Sequence, residues 1–198
     1  MTSLAQGLLV VRDATLTDAS FIADIYNHYV RTGGATMDTV ERSVDEQELR
    51  LASMGSREVA LVAELDGVLI GFCILRSYSD RGGYAPTCET STYLHPDARG
   101  RGVGSALKRT IINRARDLDY HHLSARIMTT NIASIEYNLR LGYEIVGVQR
   151  QVGYRDGRWI DIAIMQLILD DVPPPSTPST QTPQRKFRRR IRTPRPSR

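Results

Sequence analysis

The chain has 198 residues, 41% hydrophobic and 24% charged, with a formal net charge of +4, a size that suits one domain with a sizeable core and excludes two comfortable ones. Two cysteines, Cys73 and Cys88, are too few for a disulfide framework or a zinc site, and no apolar run is long enough for a membrane span. With no secretory pattern around Leu8-Leu9-Val10-Val11, the expectation is a cytoplasmic protein with reduced thiols and no bound metal.

The charge divides unevenly. From Pro173 onward there are eight basic residues and no acid, so the remainder is mildly acidic and the positive charge belongs to the tail. The Pro/Ser/Thr- and Arg-rich composition of 172–198 predicts a disordered extension beyond a folded unit of 1–171. Nucleic acid is a possible partner only through this tail.

In chain order, Leu8 to Arg12 reads as a first strand, with Thr15 to Asp18 supplying cap chemistry for a helix that runs to about Arg31. Ile22, Ile25, Tyr26 and Tyr29 form its buried stripe, which leaves Asn27 and His28 on another face. Gly33-Gly34 ends the helix, and Ser43-Val44-Asp45-Glu46 is a capping box for a second helix to about Met54. Val59 to Leu65, Asp66-Gly67 and Val68 to Leu75 form a hairpin, because Asp-Gly supplies the positive φ values of a type I′ turn.

After the polar excursion Arg76 to Pro86 comes a strand, Cys88 to His95, then a long helix from Gly102 to about Asp119. A strand over His122 to Met128 and a helix over Asn131 to Leu141 follow, the latter closed by Gly142. Two strands, Glu144 to Val152 and Trp159 to Ile168, are joined through Gly153 to Arg158. This order of elements, with its hairpins, predicts an α/β fold with a mixed, mostly antiparallel sheet.

The run Arg99-Gly100-Arg101-Gly102-Val103-Gly104-Ser105, where a strand passes into a helix, reads as an anion seat, with a glycine-rich helix entry flanked by solvated arginines as the competing reading. Unpaired amides at a positive helix end meet glycines that admit a phosphate close to the main chain, with arginines beside them. The spacing fits neither a nucleoside-triphosphate P-loop nor a dinucleotide fingerprint.

Arg99-x-x-Gly102-x-Gly104 resembles the pyrophosphate loop of the GCN5-related N-acetyltransferase (GNAT) superfamily. The chain looks closest to its phosphinothricin/methionine sulfoximine acetyltransferases, through Ile25 to Tyr29, Glu89 to Pro96, Asn131-x-x-Ser134, Leu141-Gly142-Tyr143 and Gly157-Arg158-Trp159-x-Asp161. The resemblance covers about Val11 to Leu169. It implies a GNAT fold, splayed between the fourth and fifth strands with helices on both faces, and acetyl-CoA as cofactor. The pyrophosphate would lie on Gly100 to Ser105, the pantetheine arm along the main chain of Thr92, Tyr93 and Leu94, and Asn131 would touch the cofactor from the next loop. The superfamily's members are commonly homodimers.

Acetyl transfer to an amine needs a base to accept a proton. Glu89 matches the family's base, and a partly buried strand position should raise its pKa by desolvation. Tyr137 is the candidate to protonate the leaving thiolate, and a core aromatic is the competing reading of the same residue. Arg81 and Tyr84 match the positions that hold the acceptor's anionic end. Pro86 and Asn138 depart from the family pattern, an aromatic and a His respectively, and both are expected at the acceptor pocket. The acceptor implied is a small amino-acid-like amine such as phosphinothricin, methionine sulfoximine or methionine sulfone. A polyamine, an aminoglycoside or a protein N-terminus is the alternative acceptor, and a non-catalytic acyl-CoA-binding module with a nucleic-acid-binding tail the alternative class.

Overall fold

The structure, a computed structural model, describes residues 7–98 and 100–175. Arg99, and the tail beyond 175 with its expected disorder and nucleic-acid role, lie outside the described residues. Seven strands form one sheet in the order β1-β2-β3-β4-β5-β7-β6. They are β1 (Leu9–Asp13), β2 (Val59–Leu65), β3 (Val68–Ser77), β4 (Thr87–Leu94), β5 (His122–Met128), β6 (Glu144–Arg155) and β7 (Arg158–Ile168). The helices are α1 (Ala19–Thr32), α2 (Val44–Ala52), α3 (Val103–Asp117) and α4 (Ile132–Arg140). Every neighbouring pair of strands is antiparallel except β4 and β5. The mixed α/β class and the element order therefore stand as expected. Among the described residues no helix is long and apolar enough to cross a membrane.

Local chemistry explains the joints. Asp66 and Gly67 both take positive φ, 53° and 79°, as the β2–β3 turn requires. Ser43 and Glu46 exchange hydrogen bonds to each other's amides at 2.8 and 3.1 Å, closing the capping box of α2. The last hairpin differs from expectation. β6 runs on to Arg155, and the turn is only Asp156-Gly157, with φ of 51° and 77°. This is a second two-residue turn of the same kind, hidden in a sequence dense with turn formers.

Strand alternation sends successive side chains to opposite faces, giving two cores. On one face α3 buries Val103, Leu107, Ile111 and Ala115 against Leu61, Cys73, Leu75 and Cys88, with Leu123 and Met165 beside them. Ile135 of α4 and Leu141 at its C-terminal cap border this core. On the other face α1 buries Ile22, Ile25, Tyr26 and Tyr29 against Val62 and Phe72. Val172, placed in the tail by composition, is buried in the first core, so the folded unit extends past Asp171. Asn27 is also buried rather than turned away. It bonds both the amide and the carbonyl of Arg42, at 2.9 and 2.8 Å, because the segment leading into α2 packs over that side of α1.

β4 and β5 pair in parallel over only three residues, Thr87 with His122, Cys88 with Leu123 and Glu89 with Ser124. From Thr90 onward β4 has only β3 beside it, and β5 only β7. The sheet splays at this point, between its fourth and fifth strands.

Candidate active site

A cleft of about 620 Å³ fills the splay. Thr90 to Leu94 of β4, Ala125 to Met128 of β5, the start of α3, the α4 segment Asn131 to Asn138 and the Gly33-Gly34 loop line it. The mouth is backbone. Gly102 caps α3 at φ 78°, and Ala106 is the residue that donates back to its carbonyl at 3.0 Å. The amides of Val103, Gly104 and Ser105 therefore precede the first intrahelical bond. Gly100 and Gly102 are left-handed, and a Cβ on either would stand in open space. That is the shape a phosphate needs to reach main-chain N–H groups.

The strand edge along the gap can be read from alternation. His95 donates its amide to Ile70 of β3, so the amides of Leu94 and Thr92 turn away from β3, toward the gap, and that of Tyr93 turns toward β3. The carbonyl of Leu94 already accepts the Tyr29 hydroxyl at 2.6 Å. Asn131 uses its whole side chain: Oδ1 accepts the Ser134 amide at 3.2 Å, capping α4, and Nδ2 donates to the Gly34 carbonyl at 3.0 Å across the cleft. Tyr137 lines the cleft and donates its hydroxyl to the Gly104 carbonyl. Burial pushes its pKa well above the ordinary phenol value, so it is neutral at physiological pH.

Asn138 is only 3% exposed, and its Oδ1 is buried without a partner. It lines this cleft with Ser134 and Tyr137 on the inner side of α4 and donates its Nδ2 to the Ser134 carbonyl at 2.8 Å. The phosphate-sized opening over the glycines, the outward amides of β4 and this unsatisfied acceptor fit an elongated ligand with a phosphate end and an amide-bearing arm.

Glu89 is not among the residues lining the cleft. Its carboxylate is held in a two-pronged pair by Arg126, which does line it, at 2.7 and 2.8 Å. The desolvated carboxylate expected from sequence is thus a hydrogen-bonded ion pair, and the bond from Glu89 raises the Arg126 pKa. Arg76 stands directly opposite Glu89 across β3–β4 and shares its face. Above this face Arg42 bonds Asp38 at 2.6 Å and lies 3.6 Å from the Tyr26 ring centre, while Tyr26 donates to Asp38 at 2.6 Å. Arg50 has its pKa lowered by burial first, then by repulsion from Arg42 and Arg76. Arg50 and Arg76 form no ion pair among the described residues. Arg81 and Tyr84 are exposed on the β3–β4 excursion, Tyr84 with its ring 5.5 Å from that of Tyr78, and neither reaches the cleft.

Sequence reasoning passed over Arg42, Arg50, Arg76, Arg126, Lys108 and Arg155. Arg155, on β6 and 7% exposed, donates to the carbonyls of Thr36, Asp38 and Val30. It pins the α1–α2 loop that walls the cleft. Its one legible signal is an arginine just before an Asp-Gly turn, which reads equally well as surface charge.

A splayed, mostly antiparallel sheet with a glycine-capped helix at the gap defines an acyltransferase scaffold. The family model described as acetyltransferase (GNAT) domain matches residues 11–164. The chain belongs to that family and is an N-acetyltransferase with acetyl-CoA as co-substrate. It is 36% identical to an L-amino acid N-acyltransferase of Escherichia coli over 81% of this chain and 94% of that one. It is 38% identical to a phosphinothricin N-acetyltransferase of Alcaligenes faecalis, over 79% of each. A phosphinothricin acetyltransferase from Sinorhizobium meliloti, solved in complex with acetyl-CoA, superposes with a TM-score of 0.80 at 30% identity, covering 87% of this chain and 96% of that one.

Proposed function

We propose that the protein acetylates the amine of a small amino-acid-like acceptor carrying an anionic group, of the phosphinothricin, methionine sulfoximine or methionine sulfone type. The observation that carries this reading is the apex of the splay. There Glu89, gripped by Arg126, shares one sheet face with Arg76, beneath the partly buried Arg42 and Arg50. A carboxylate able to take a proton sits beside guanidinium groups, two of them without a counterion, which suits an acceptor that brings both an amine and an anion. Arg81 and Tyr84, on the excursion between β3 and β4, are the residues that would reach the acceptor's anionic end. The relatives' own names point to the same acceptor class.

Gly100 to Ser105 hold the acetyl-CoA pyrophosphate, and the sequence adds the positive charge of Arg99 and Arg101 to that run. The gap-facing main chain of Thr92 to Leu94 and the side of Asn131 hold the arm. The cofactor supplies an electrophilic thioester carbonyl. Glu89 accepts the proton of the attacking amine, directly or through water. A gap-facing amide of β4 near Leu94, that of Thr92, stabilises charge on the acyl oxygen. Tyr137, kept protonated by burial, donates to the sulfur after turning from the Gly104 carbonyl. Release of the coenzyme A thiol across a panel of free amino-acid analogues, peptides and polyamines tests the reading. Turnover confined to anionic amino-acid analogues is the expected result, and preference for polyamines or peptides contradicts it.

A homodimer is also favoured by one observation. β6 is an edge strand with Ile145, Val146, Val148 and Val152 exposed, and Tyr154 and Trp159 stack edge to face beside them. An unprotected apolar edge of this kind suits a second copy of the chain.

A further inference from the structure

Lys108 lies on α3 at the closed end of the cleft, 2% exposed. Its Nζ donates to the Thr90 hydroxyl at 2.6 Å and sits 4.7 Å from the Tyr143 ring centre. Thr90 is the first residue of β4 beyond its pairing with β5, so the ammonium marks the apex of the splay on the face opposite Glu89. No carboxylate pairs with it among the described residues. The titratable groups around it are Cys73, Cys88, Tyr137 and Tyr143, and burial raises the pKa of each, leaving them neutral near pH 7. Burial lowers Lys108 to about 8, so at pH 7 it is still mainly a cation.

A buried charge without a counterion is costly, and a nonpolar residue of the same length would fill the space without that cost. The mouth of the same cleft is already an anion seat, and the strand edge that would hold the arm runs from Leu94 back to Thr90, so this second positive site lies at the end of that edge, where the acyl group of the co-substrate would come to rest. This step rests on the coenzyme A reading above. The acetyl group offers nothing for an ammonium to pair with. An acyl chain ending in a carboxylate does, and the thioester chemistry is unchanged: the carbon–sulfur bond breaks, a carbon–nitrogen bond forms, the amine proton leaves to base and the sulfur takes up a proton.

We propose that Lys108, anchored on Thr90 at the closed end of the cleft, is an acyl-selecting site that admits carboxylated acyl-CoA donors such as succinyl-CoA or malonyl-CoA beside acetyl-CoA.

The test compares donors matched in chain length, succinyl-CoA with butyryl-CoA and malonyl-CoA with propionyl-CoA. Calorimetry measures their binding to the full chain with no amine present. The unsubstituted protein is expected to bind at least one carboxylated donor about tenfold or more tighter than its neutral counterpart, the scale of a charge-assisted hydrogen bond. In Lys108→Met that preference should vanish or reverse, and because the ratio is taken within one protein, a general loss of affinity cancels. Neutral donors bound as well as carboxylated ones by the unsubstituted protein would overturn the proposal, as would a ratio that survives Lys108→Met. So would a Lys108→Met protein that loses acetyl transfer while its donor ratio stays unchanged, since Lys108 would then serve the leaving sulfur. Failure of acetyl-CoA itself to bind the unsubstituted protein would instead bring down the coenzyme A reading on which this one stands.

Discussion

Glu89 and Thr90 are neighbours on β4, yet they belong to two different sites. Glu89 faces α1 and α2 and meets Arg126 and Arg76. Thr90 faces α3 and meets Lys108 and Tyr143. The α3 side is built largely from main chain: a helix end, left-handed glycines and outward strand amides. The opposite side is built from long side chains contributed by β3, β5, the α1–α2 segment and α2. Backbone sites of the first kind tolerate few residue types, because only glycine adopts φ near 80° without strain and only a strand edge supplies that row of amides. Side-chain sites of the second kind can be rebuilt by any arginine that reaches. On the proposed reading, the donor seat is therefore fixed by geometry, and the acceptor face is where this chain would set its own specificity.

The division can be broken from either side. Glu89→Gln keeps the size and one hydrogen bond to Arg126 while removing basicity, and is expected to lower turnover by roughly 10²–10⁴-fold at neutral pH; a steady-state assay at saturating amine measures it. Next in size, Arg155→Ala strips the carbonyls of Val30, Thr36 and Asp38 of their donor. With the Val30 and Thr36 bonds buried and the Asp38 bond part-buried, it should cost about 2–4 kcal/mol in denaturant unfolding, with the α1–α2 loop becoming the first region to exchange its amide hydrogens. Gly102→Ala meets no neighbour, so its destabilisation is backbone strain alone, about 1–2 kcal/mol. Its effect on acetyl-CoA affinity should exceed that, by about tenfold or more, since the new Cβ stands where the phosphate approaches; calorimetry separates the two. Smallest, Arg76→Gln should raise the acceptor KM by about three- to tenfold and leave acetyl-CoA affinity unmoved, as expected for a partly solvated cation holding an anion. An equal rise in both constants would show that the two faces are not separate.

The same contrast explains what could be read before the structure. The Asp66-Gly67 turn, the Ser43 capping box and the glycine run before α3 each express a local backbone demand that few residues satisfy, so they announce themselves along the chain. Arg42, Arg50, Arg76 and Arg126 do not, because each is an ordinary arginine until folding brings the four elements together. Asn138 gives no such signal either, since helical phase alone does not tell which wall of the splay a residue joins. The Arg126 pairing also changed the chemistry expected of Glu89. Burial was legible from its strand, whereas the guanidinium across the gap depends on β4 and β5 running parallel for three residues and then parting.

The most direct test of this division of labour is the dissociation constant of acetyl-CoA measured by calorimetry on Glu89→Gln. With donor and acceptor on opposite faces of β4, it should stay within about threefold of the unsubstituted value, because no donor contact has been removed. A loss of acetyl-CoA affinity matching the loss of turnover would contradict the account, placing Glu89 in the donor seat instead of the acid–base chemistry beside it.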